Sequence, residues 1–158
     1  MTLPATGGGP GVAPRDGTPG SPGVAPLDGT GKTTSIVTEL ARRFAAGDGA
    51  GAAALFHPQI RIQQPESLPH GGWHEGQAGL AEMGAQFGQH WTRTISEPRI
   101  IGGGDTVVQV TTQTWTANAT GRCATVDVVE LFGFRDDLVA EIRVFQQDTA
   151  LLLSTLEP

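Results

Sequence analysis

From Thr33 onward the chain moves through two hydrophobic periods in succession. Ile36, Val37, Leu40, Ala41 and Phe44 recur three and four residues apart, which predicts a helix with Thr33 or Thr34 as its N-cap and Gly47 as its stop. Asp48 can cap a short second helix, Gly49–Phe56, which must end before Pro58. QIRIQQP (Gln59–Pro65) alternates as a strand does, ESLPHGGWHEG (Glu66–Gly76) reads as a loop, and the Leu80, Met83, Phe87 stripe marks a third helix. From Trp91 the period falls to two. Runs of alternating residues are separated by turn signals at Gly102–Asp105 (GGGD), Asn118–Gly121 (NATG) and Arg135–Asp137 (RDD), which predicts a four-strand antiparallel meander. DTALLLSTL closes the chain as a short helix or tail. Three helices, one early strand and a meander make an α+β domain.

The first 32 residues follow neither period. They hold 9 of the 23 glycines and 6 of the 11 prolines, and they repeat GVAP-x-DGT at Gly11–Thr18 and Gly23–Thr30. Such a segment buries too little apolar surface to offset its ordering entropy, so residues 1–32 are expected to be a disordered tail and 33–158 the folded domain. GTGKTT (Gly29–Thr34) resembles the end of a phosphate-binding loop, but the position of that loop's first glycine is Pro26, and no hydrophobic strand precedes it. A net charge of −6, with Lys32 the only lysine, argues against a nucleic-acid surface or an anionic membrane. No apolar run approaches the length of a membrane span. The N-terminus lacks the pattern of a signal peptide and Cys123 is the single cysteine, so a cytoplasmic location is expected.

Candidate chemistry concentrates in two places. In ATVDVVELFGF (Ala124–Phe134), Val126, Val128, Glu130, Phe132 and Phe134 share one face, and Thr125, Asp127, Val129 and Leu131 share the other. Glu130 thus stands in an apolar row, where desolvation raises a carboxyl pKa towards the range of a general acid or base. The alternative is a structural glutamate bonded to a neighbouring Gln or Trp. Asp127 falls on the opposite face. The second concentration is the loop containing Gln64, Glu66, His70, Trp73, His74 and Glu75. His70 and His74 have an i, i+4 spacing, but Gly71–Gly72 speaks against the helix a metal pair would need, so no metal or other cofactor is expected. Gln109, Thr111, Gln113 and Trp115 share a strand face that is either concave, where Gln113 and Trp115 would line a pocket, or convex.

Four stretches together resemble the nuclear transport factor 2 (NTF2) fold, a curved sheet wrapped around helices into a cone. More narrowly, they resemble the SnoaL-like group of polyketide cyclases, related to ketosteroid isomerase. They are ELARRFAAGDGAGAAALFHP, PESLPHGGWHEGQAGLAEM, VDVVELFGFRDDLVAEIRVF and DTALL, and they span about residues 34–153. The resemblance implies a homodimer that binds a small apolar or polyketide-like molecule and performs proton-transfer chemistry as a cyclase, isomerase or dehydratase in natural-product biosynthesis. Glu130 falls where ketosteroid isomerases keep an aspartic acid that hydrogen-bonds the substrate oxygen. The loop would rim the mouth of the cone, with His70 facing the ligand. The position of the isomerase catalytic aspartate is Gln64, which cannot act as a base. The implied catalytic set is Glu130 with His70 or Glu66, and Gln64, Trp73, His74, Gln113, Trp115 and Phe132 are the implied substrate contacts. A non-catalytic binding module is one alternative. Epoxide hydrolysis by an Asp127, Arg143 and Asp148 set is another.

Overall fold

A computed structural model describes residues 31–158. The repeats and the expected tail, apart from its last two residues, lie outside them. The element order is α1 (Lys32–Ala45), α2 (Gly49–Ala53), β1 (Phe56–Gln64), β2 (Gly72–Glu75), α3 (Gly76–His90), β3 (Trp91–Ile95), β4 (Arg99–Gly103), β5 (Thr106–Ala117), β6 (Cys123–Arg135), β7 (Leu138–Gln146) and α4 (Thr149–Ser154). One seven-stranded sheet runs β2-β1-β7-β6-β5-β3, with β4 pairing the other half of β5. All pairings are antiparallel except β1 with β7.

Several local expectations change on inspection. The second helix stops at Ala53 because Phe56 already begins a strand, and Pro58 is accommodated where the β1–β7 register shifts between Phe56 and Arg61. Asp48 does cap that helix, accepting from the Gly51 N–H at 2.8 Å. The N-cap of α1 is Gly31, not a threonine; Thr34 is buried and its hydroxyl donates to the Gly102 carbonyl at 3.1 Å, tying α1 to β4. The loop before α3 contains β2, a strand too short to show a period. The chain after Trp91 is no simple meander, since β3 and β4 both lie on β5, joined through Ser96–Pro98. The Arg135–Asp137 turn holds as expected. Asp136 and Asp137, at φ 51° and 59°, form the two-residue loop that the twist of a hairpin favours. Asp137 also pairs with Lys32 at 2.5 Å, so the lysine of the GTGKTT stretch serves an ion pair at the end of α1.

The sheet curls around its helices. α1 packs against β4 and β5, α3 against β1, β2 and β3, and α4 against β6. The core is the row of inward residues on the long strands: Val107, Trp115 and Ala117 on β5, and Ala124, Val126, Val128 and Phe132 on β6, closed by Val37, Leu40 and Leu152 from the helices. The interior is not filled evenly. Leu80, Met83 and Phe87 of α3 face the sheet but none is fully buried, and α3 contributes no fully buried residue.

Candidate functional site inside the cone

The interior position of Glu130 follows from strand parity. Its neighbours in the row, Val128 and Phe132, are buried, and its cross-strand partners are Gln109 on β5 and Val144 on β7. Gln109 Nε2 donates to Glu130 Oε2 at 2.6 Å. Burial raises the Glu130 pKa, and the charge of Arg93 and the Gln109 hydrogen bond pull it back in part. The carboxylate is desolvated, yet its residue keeps some accessible surface. Both hold together for a group that faces an internal space.

Arg93 has the same character. In register with Trp115, it shares the inward face of the sheet with Trp91 and Ile95. Its guanidinium lies over the Phe87 ring, 4.9 Å from the centroid. Burial pulls its pKa down while the charge of Glu130 pulls it up, and the residue is nonetheless exposed. Among the described residues Arg93 makes no ion pair. A carboxylate and a cation thus act on one another without a direct salt bridge between them. Sequence reasoning missed Arg93. Its signal was the WTRTI alternation, which puts Arg93 on the same face as Trp91 once that tryptophan is known to be core.

Beyond Arg93 the interior becomes aromatic. His70 sits 5.4 Å from Phe87, 6.1 Å from Trp91 and 5.8 Å from Trp115, measured between ring centroids. Trp115 donates to Gln113 Oε1 at 3.0 Å, and Gln113 in turn donates to the Thr111 hydroxyl at 3.1 Å. Trp91 donates to the Thr155 hydroxyl at 2.8 Å. His70 was expected at the mouth, but it is 3% exposed and its Nδ1 has no hydrogen-bond partner. Burial first, then the charges of Arg93, His74 and His90, push its pKa down to about 4, so the ring is neutral at pH 7. The His74 Nε2–H donates to the His70 carbonyl at 2.9 Å. Gln113 and Trp115 do lie on the concave face, buried in this cluster. Glu130, however, is opposite Gln109, six residues along β5 from Trp115, or roughly 20 Å of strand at the usual rise. The charge of Arg93 nonetheless acts on both Glu130 and His70, so the guanidinium lies between the carboxylate and the aromatic cluster.

Gln64 is buried on β1, and its amide links α3 to β7. Its Nε2 donates to Met83 Sδ at 3.5 Å, and its Oε1 accepts from Gln146 Nε2 at 3.4 Å. Phe132 is core, between Val107 and Ile142. Other candidates fall outside the cone. Glu66 is exposed in the turn after β1. Trp73 pairs with Gln63 on the outer face, 42% exposed, with the Arg61 guanidinium 4.6 Å from its ring centroid. Asp127 accepts from Thr112 on the outer face, Arg143 donates to Gln63 there, and Asp148 caps α4 through the Leu151 N–H. The Asp–Arg–Asp set is therefore not assembled in the interior. Glu141 is bound to Arg61 at 2.5 Å.

The comparisons with known proteins agree with this architecture. No curated protein matches the sequence. An NTF2-like protein from Burkholderia xenovorans superposes with a TM-score of 0.72 at 25% identity, covering 82% of this chain and 99% of its own. TerC, co-crystallised with polyporic acid, gives a TM-score of 0.72 at 24% identity over 81% of this chain and all of its own. A candidate polyketide cyclase from Pseudomonas putida gives 0.66 at 12% identity over 81% and 100%. The SnoaL-like domain matches residues 37–142, from the middle of α1 to the middle of β7. The chain belongs to the SnoaL-like family of the NTF2-like superfamily.

Proposed function

We propose that the cone encloses an active site for proton transfer at carbon in a small carbonyl compound, in the manner of a cyclase, isomerase or dehydratase of natural-product biosynthesis. The observation that carries this reading is Glu130. Its Oε2 is held by Gln109, its Oε1 has no hydrogen bond among the described residues, and it faces the internal space with Arg93 acting on it from across. In this scheme the Glu130 carboxylate takes a proton from the carbon next to the carbonyl. The electron pair moves onto the carbonyl oxygen, and the Arg93 guanidinium stabilises the resulting enolate. The proton then returns from Glu130 to a carbon or a leaving oxygen. The chain's own residues suffice for these steps. That the TerC fold relative was crystallised with a small organic acid supports a cavity of this use.

One observation favours a second reading, a ligand-binding module. A 2.6 Å bond from Gln109 is also what a purely structural carboxylate would make. Deuterium incorporation next to the carbonyl of cyclic ketones in heavy water, followed by NMR, separates the two. Catalysed exchange that Glu130→Gln abolishes supports the enzyme. Binding without exchange by the wild type leaves only the binding module.

A further inference from the structure

The polar atoms around Glu130 include one whose identity is fixed and whose partner is missing. Gln146 lies on the inward face of β7, opposite Val128, and so diagonally adjacent to Glu130 at roughly 7 Å. Its Oε1 is buried without a hydrogen bond. Amide oxygens and nitrogens can exchange places in a structure, but here the chain of contacts determines which is which. A thioether can only accept, so the Gln64 group facing Met83 Sδ is the NH2. That leaves Gln64 Oε1 facing Gln146, which must therefore offer its own NH2. The outer oxygen of Gln146 is thus held as an acceptor, and a buried acceptor left empty costs about 1–3 kcal/mol.

We propose that Gln146 Oε1 is a recognition site for a hydroxyl or N–H donor on the ligand, one diagonal step from the carbon that Glu130 attends. The ligand class is then a hydroxylated carbonyl compound, with its carbonyl oxygen towards Arg93 and its hydroxyl towards Gln146. Gln64 is a positioning residue: it stands where a base would be in the related isomerases, and it holds the Gln146 amide in one orientation. This inference rests on the proton-transfer reading for its geometry, but its test does not depend on catalysis.

The test uses 6-hydroxy-1-tetralone and its methyl ether, which set a donor or a blocked donor across the ring system from an enolisable carbon. Affinity is measured by calorimetry and exchange by NMR, on the full chain. The wild type should bind the hydroxy compound at least about tenfold more tightly than the ether. Gln146→Leu should reduce that preference to within ~3-fold, chiefly by weakening the hydroxy compound. Gln146→Met serves if the leucine variant does not fold. Glu130→Gln should abolish exchange and keep the preference. If the wild type shows the preference but no exchange, the proton-transfer reading falls and the Gln146 site stands. Equal binding of the two ketones, failure to bind either, or a preference that survives both Gln146 variants overturns the proposal.

Discussion

Burial of His70 among Phe87, Trp91 and Trp115 makes acid the sharpest probe of this interior. Its pKa is pushed from an ordinary 6.5 to about 4, mainly because the charged ring would be desolvated. A histidine depressed in the folded state is protonated first in the unfolded chain. Its contribution is therefore intact above about pH 6.5 and is lost as pH falls towards 4. The full shift corresponds to about 3 kcal/mol, and about 2 kcal/mol of it falls between pH 7 and pH 5. For a domain of this size that is a substantial fraction of total stability. Carboxylates elsewhere also titrate as the solution is acidified, so the wild-type curve alone does not isolate the histidine. The comparison is with His70→Phe, which keeps an aromatic ring in the cluster and removes the titrating group together with the unpartnered Nδ1. Urea denaturation of both proteins at pH 7, 6 and 5 should show the wild type losing about 2 kcal/mol more than the variant over that range. Parallel losses would refute the reasoning, because they would mean that His70 titrates normally and is open to water.

Activity should rise with pH through an apparent pKa above the ordinary glutamate range, reporting Glu130. Arg93→Leu should move that limb to higher pH, since the guanidinium now lowers the Glu130 pKa; an unmoved profile would dissociate the two groups. Glu130→Gln should lower exchange by at least about 100-fold while leaving the melting temperature unchanged or higher, because a neutral amide is cheaper to bury beside Gln109. Thr155→Val, which orphans the Trp91 N–H, should cost about 1–3 kcal/mol in a urea titration. The homodimer implied by the family resemblance would use the outer face, where Val110, Val129 and Phe145 stand side by side across three strands and Phe145 is 45% exposed. Phe145→Glu should then shift a sedimenting dimer to monomer, and a monomeric wild type at micromolar concentration would exclude it.

Much of the fold was legible because periodicity is a local property. The apolar stripes of α1 and α3, the parity of β6 and the Asp–Asp turn each depend on residues within one element. The errors arose where tertiary contacts overrode local preference. Thr34 looks like a cap but is drawn to the Gly102 carbonyl of β4. Pro58 looks like a stop but fits a register shift. Within the interior, parity placed Glu130 correctly, whereas His70 appeared to be a loop residue at the mouth. Nothing in PHGGWHEG announces that α3, β3 and β5 close over it with Phe87, Trp91 and Trp115. Trp73 misled for the opposite reason: an aromatic residue in a ligand-binding loop looks like a wall, but its register with Gln63 turns it outward onto Arg61.

The arrangement of polar groups inside the cone explains how one row of strand residues can be both core and site. Along β5 the inward residues run from Gln109 through Thr111 and Gln113 to Trp115. Gln113 and Trp115 bond within their own strand, and His70 Nδ1 is the polar atom of the aromatic end left without a partner among the described residues. Gln109 bonds Glu130 and Gln64 bonds Gln146, so the other end retains a free carboxylate oxygen and a free amide oxygen, while Arg93, in register with Trp115, makes no ion pair among the described residues. Buried polar groups cost stability when they are left without partners. The aromatic end, where Trp91, Trp115 and His70 are fully packed, supplies the burial that offsets this cost. On the proposed reading, a molecule with matching groups completes the polar end.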